Sequence, residues 1–125
     1  MNFQPKTEKE IADSKLLKTG IYQFEILEAW EKTSAAGNAM IELKVHVSNG
    51  HGQSRTLADY LLPQRAEKLR HAAAACGVLD RYESGELSAA DFAAKHGRLK
   101  VGVEKKQGYS PRNVIDDYIP AQDGD

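Results

Sequence analysis

The sequence holds one cysteine, Cys76, so no disulfide can form within the chain, as expected of a protein kept in a reducing compartment. No apolar run approaches the roughly 20 residues that cross a bilayer. Residues 1–14 are polar and lack the apolar core of a secretory signal. A cytoplasmic protein with no membrane partner is therefore expected. No G-x-S-x-G, Walker or H-E-x-x-H pattern occurs. The four histidines, His46, His51, His71 and His96, show no metal-ligand spacing, so neither a metal nor another cofactor is expected. Asp116 and Asp117 are adjacent, and neighbours on a strand face opposite ways, which works against a catalytic pair. Cys76 follows an alanine run and reads as a buried packing residue. With no nucleophile, base and orienting group in sight, a non-enzyme is expected.

What remains is ordinary globular composition. The chain has 125 residues, 41% of them hydrophobic and 28% charged, which suits one domain that folds without staples. The net charge of −1 hides an asymmetry. Residues 42–112 carry 12 Lys/Arg against 8 Asp/Glu, whereas residues 113–125 carry four acids and no base. The middle is mildly basic and the end acidic, and it is local potential that a charged ligand reads.

Residues 1–18 show no clear period and are expected to form a flexible arm, with a turn of helix near Glu8–Leu17. The domain is expected over residues 19–120. Ile21–Glu31 alternates as a strand, with a slip near Leu27–Glu28 that suggests a bulge. Lys32–Asn38 is turn-rich. Met40–Ser48 alternates most clearly, with Ile41, Leu43, Val45 and Val47 on one face. Asn49–Gly52 reads as a hairpin turn and Gln53–Leu62 as the third strand. Gln64–Cys76 reads as a helix ended by Gly77. A second, short helix is expected over Ser88–Lys95, because Ser88 and Asp91 have capping-box spacing. Arg98–Lys105 and Asn113–Ile119 are the last two strands. Residues 121–125 are expected to be a disordered acidic tail, a frayed terminus rather than a recruiting motif.

Three strands, a helical segment, then two strands define an all-β fold with a helical insertion. This is the element order of the five-stranded OB barrel. Such barrels bind ligands on the face of strands 2 and 3, between the 1–2 and 4–5 loops, which are expected here to lie on one side. That places Lys32 in the first loop, Lys44 and Arg55 on the face, and Lys105, Lys106, Tyr109 and Arg112 in the last loop. Single-strand binders need cations to track phosphates and aromatic faces on which bases stack. Lys105, Lys106, Tyr109 and Arg112 supply both within one short stretch. Trp30, beside the first loop, is a further stacking candidate, although large aromatics more often sit in the core. Tyr22, Phe24, Tyr60 and Tyr118 are expected in the core or at its rim.

Several short segments carry a likeness. Gly20-Ile21-Tyr22 is followed by Lys32-Thr33-Ser34-Ala35-Ala36-Gly37-Asn38-Ala39-Met40-Ile41. Further on come Asp59-Tyr60-Leu61, Tyr82-Glu83-Ser84-Gly85-Glu86-Leu87 and Pro111-Arg112-Asn113-x-Ile115-x-x-Tyr118. Together, across about residues 18–120, they resemble a group of small phage and prophage proteins. Many of these are of unknown function, and others are described as single-stranded-DNA-binding proteins of replication and recombination regions. The resemblance implies non-catalytic binding of single-stranded DNA inside a bacterial host cell. Phage or host replication and recombination proteins, and further copies of the chain, are compatible partners. It carries over no catalytic residue. The alternative is a protein-interaction module, an inhibitor or adaptor of a replication protein, which the small net charge favours.

Overall fold

The structure, a computed structural model, describes residues 1–8, 10–11 and 16–121. It is mostly β. Five strands, β1 (Gly20–Thr33), β2 (Ala39–Ser48), β3 (Ser54–Leu61), β4 (His96–Glu104) and β5 (Arg112–Ile119), form one antiparallel sheet in the order β3-β2-β1-β4-β5. Two helices, α1 (Ala66–Ala75) and α2 (Leu79–Ser84), and a 3₁₀ turn (Ala89–Asp91) lie between β3 and β4 in sequence.

β1 is the spine. Its first half pairs with β4 and nearly its whole length pairs with β2. The ladder to β2 shifts register between Ile26 and Glu28, where the alternation in the sequence slips. Before this bulge Tyr22, Phe24 and Ile26 are buried; beyond it Ala29 takes the inward position. The extra residue thus swaps which side chains face out.

The helical segment differs from its expected form in two places. The helix expected over residues 64–76 forms as α1 and stops in a Schellman closure: the Gly77 amide donates to the Ala74 carbonyl at 3.2 Å and the Val78 amide to the Ala73 carbonyl at 2.8 Å. Gly77, at φ +76°, makes that turn possible. The chain then forms α2, a helix the sequence pattern did not signal. The expected helix over Ser88–Lys95 shrinks to the 3₁₀ turn because its backbone is claimed by β1. The Ile26 amide donates to the Lys95 carbonyl at 2.8 Å, and the Ala94 amide to the Ile26 carbonyl at 3.0 Å. At the arm, the Glu10 amide donates to Thr7 Oγ1 at 3.1 Å and the Ile11 amide to the Thr7 carbonyl at 3.0 Å, starting a helical turn. The rest of the helix expected there falls partly on residues 9 and 12–15, outside the described residues, as does the tail over 122–125.

The core lies between the sheet and the helical segment. Leu43, Val45, Val47, Phe92 and Leu99 are fully buried. Phe24 meets Tyr118 edge-on, with ring centroids 5.4 Å apart. The alanine-rich face of α1 comes close enough to β4 that a Cβ on Gly97 would sit 3.1 Å from the Ala75 carbonyl and 3.1 Å from the Phe24 ring.

The sheet is not closed into a barrel, since β3 and β5 are its two edges and no backbone ladder joins them. Side chains join them instead. Asp59 on β3 accepts from the Tyr118 hydroxyl at 2.7 Å and from Lys68 Nζ at 2.8 Å. Lys68, on α1, also donates to the Ile115 carbonyl of β5 at 2.9 Å. Asp59 and Lys68 are both buried. Burial and the neighbouring Asp59 carboxylate push the Tyr118 hydroxyl pKa well above its ordinary value. Farther along the same line, Arg55 Nη1 donates to Asn113 Oδ1 at 3.2 Å. Asn113 also holds the entering chain, accepting from the Leu17 amide at 2.8 Å and donating to the Leu17 carbonyl at 3.0 Å.

Candidate nucleic-acid interface

The bulge in β1 decides where Trp30 goes. With Ala29 turned inward, Trp30 faces out and is 38% exposed. The core position that its size suggests is taken by the smaller residue. Trp30 lies opposite Glu42 on β2, and Glu42 lies opposite Tyr60 on β3. Tyr60 is 43% exposed. Two aromatic side chains therefore stand in one row across three strands, their backbones about 10 Å apart. Tyr60, expected in the core or at its rim, stands in the outward row of β3: Ser54, Thr56, Ala58 and Tyr60 form one row, Arg55, Leu57, Asp59 and Leu61 the other.

Lys32 and Lys44 flank this row. Lys32 Nζ is 3.7 Å from Glu42 Oε1, and Lys44 is paired in the ladder with Glu28. His46 stands opposite Glu25 in the same way. Over β1–β3 the outer face thus alternates cations with acids and carries no net positive charge.

Arg55 does not share that face. It stands opposite the buried Val47, points to the inner side, and reaches Asn113 across the gap to β5. A one-residue offset in a strand reverses the face, and Arg55 has the parity of Asp59, not of Tyr60.

The two loops expected on one side lie at opposite ends of β1. The first loop follows Thr33 and is closed on itself by the Ser34 amide donating to the Asn38 carbonyl at 2.7 Å. β4 runs antiparallel to β1, with Gly20 opposite Val101 and Glu25 opposite His96, so the loop after Glu104 lies beyond the start of β1. There Lys105 and Lys106 are exposed and have no ion pair among the described residues. Tyr109 is 76% exposed. Arg112 is held by Glu104, with Nη2 3.0 Å and Nε 3.2 Å from its Oε1. A groove runs between this loop and residues 16–19, lined by Leu16, Lys18, Lys105, Tyr109 and Pro111.

Two further groups bear on chemistry. Cys76 is buried, and desolvation pushes its thiol pKa up to about 12, against a smaller opposite pull from Lys95. It is protonated at neutral pH and is no nucleophile. Glu67 and His71, one turn apart on α1, meet Asp117 of β5: their ligand atoms lie within 4.8 Å of one another. The helical i,i+4 spacing of Glu67 and His71 was visible in the sequence; the approach of Asp117, 46 residues beyond His71, was not.

No helix among the described residues is long and apolar enough to cross a membrane. The chain matches no protein-family model and no curated protein.

Proposed function

We propose that the chain is an OB-like domain that binds single-stranded DNA without catalysis, in phage or prophage replication or recombination within the bacterial cytoplasm. The observation that carries this reading is the outward row Trp30–Glu42–Tyr60 on β1, β2 and β3. Exposed aromatic faces on a sheet are what a sequence-tolerant single-strand binder needs, each stacked base contributing about 1–3 kcal/mol. The strand order, the helices between β3 and β4, and the side-chain links between the two sheet edges support the OB-like reading. Lys32 and Lys44 flank the stacking row, and Lys105, Lys106, Tyr109 and Arg112 extend the path beyond the start of β1. Arg55 serves the strand gap rather than the phosphates.

Fluorescence anisotropy with labelled oligo-dT tests the reading. Binding at micromolar protein in low salt, weakening as salt rises through counterion release, is the expected result. No binding at low salt overturns it.

The charge balance of the outer face favours a second reading, a protein-interaction module acting on a replication protein. An apolar cleft of about 380 Å³ beside that face, lined by Met40, Ile41, Leu61, Leu69, Tyr82 and Leu87, supports it. A stable complex with such a protein in the absence of nucleic acid, together with failed oligonucleotide binding, distinguishes it.

A further inference from the structure

We propose that Glu67, His71 and Asp117 form a binding site for a divalent transition-metal ion of the Zn²⁺ type, one that fastens α1 to β5. The donors come from two elements already in contact. His71 Nδ1 lies 2.9 Å and 3.0 Å from the two Asp117 carboxylate oxygens. Glu67 sits one helical turn before His71, so both project from the same face of α1. All three donor atoms fall within 4.8 Å. A tetrahedral ion with bonds of about 2.0–2.1 Å sets its donors roughly 3.3 Å apart. The adjustment falls mainly on Glu67, whose exposed side chain is free to make it.

The surroundings suit a cation. Asp116 and Asp117 line one cleft with Glu67, because the β4–β5 register shifts between Lys100 and Val101. Arg65 is the opposing charge at the rim. Lys68 lines the same cleft, but its ammonium is engaged by Asp59 and the Ile115 carbonyl. One imidazole with two carboxylates selects borderline ions over Mg²⁺, which prefers all-oxygen octahedral sites. Three protein ligands leave a fourth position for water.

Isothermal titration of the tag-free chain with ZnCl₂ at neutral pH, paired with thermal unfolding, tests the site. The expected result is one ion per chain and an unfolding temperature that rises with zinc, as for any ligand bound by the native state alone. MgCl₂ gives neither. Glu67→Gln, a change at an exposed side chain, weakens zinc binding by about tenfold or more. His71→Ala abolishes it, and His51→Ala, at an exposed histidine in the β2–β3 turn, leaves it unchanged. If His71→Ala fails to fold, Glu67→Gln decides. Absence of one-to-one binding, or binding that survives both Glu67→Gln and His71→Ala, overturns the proposal.

Discussion

The two faces of β3 do opposite work. Its inward row, Arg55, Leu57, Asp59 and Leu61, is tied to β5 and α1 through Asn113, Tyr118 and Lys68. Its outward row ends in Tyr60, exposed beside Glu42 and Trp30. Polar groups on the inner side are enclosed and partnered, so a change there acts on stability. Aromatic groups on the outer side stay partly exposed, and under the proposed function a change there acts on binding. On that proposal the eight residues of β3 divide stability from binding by parity, and the division can be broken one residue at a time.

The largest effect is expected at the inner row. Lys68→Met leaves the Asp59 carboxylate buried without its cation and lowers stability by about 3–5 kcal/mol, read from the midpoint of urea unfolding. Tyr118→Phe removes the other donor to Asp59 while keeping the ring against Phe24. Its expected cost is about 1–3 kcal/mol in the same assay, with oligonucleotide affinity of the folded protein unchanged. Tyr60→Ala reverses the pattern: affinity for oligo-dT falls by about 1–3 kcal/mol, while stability moves within about 0.5 kcal/mol. A large loss of stability in Tyr60→Ala with intact binding removes the division. The smallest effect belongs to the distant loop. The double change Lys105→Ala with Lys106→Ala should reduce the salt slope of binding by about 1.4, at about 0.7 per phosphate contact with single strands. Stability should stay level, because neither lysine has an ion pair among the described residues.

Much of this was legible because strands announce themselves by parity. The alternation of Ile41, Leu43, Val45 and Val47 marked a buried face, and all four are buried. The slip near Leu27–Glu28 marked a bulge, and the register shifts there. Parity also held the inner-face position of Arg55, where chemical type, a cation for the surface, pointed the other way. What local sequence does not carry is long-range pairing. Lys105 and Thr33 end on opposite ends of β1 only because β4 pairs antiparallel with its first half. The Ser88–Lys95 segment has helix-capping residues, yet hydrogen bonds to Ile26, more than 60 residues earlier, hold its end in another shape. Asp117 joins Glu67 and His71 for the same reason: β5 lies against α1.

The central claim, that the outer row of β1–β3 receives single-stranded DNA, has a built-in reporter. Trp30 is the only tryptophan in the chain and stands in that row. Titrating the protein with oligo-dT at low salt while recording tryptophan emission is the most direct measurement. Saturable quenching that weakens with added salt, and weakens again in Tyr60→Ala, is the predicted result. Oligonucleotide binding seen by anisotropy with no change in Trp30 emission would contradict it.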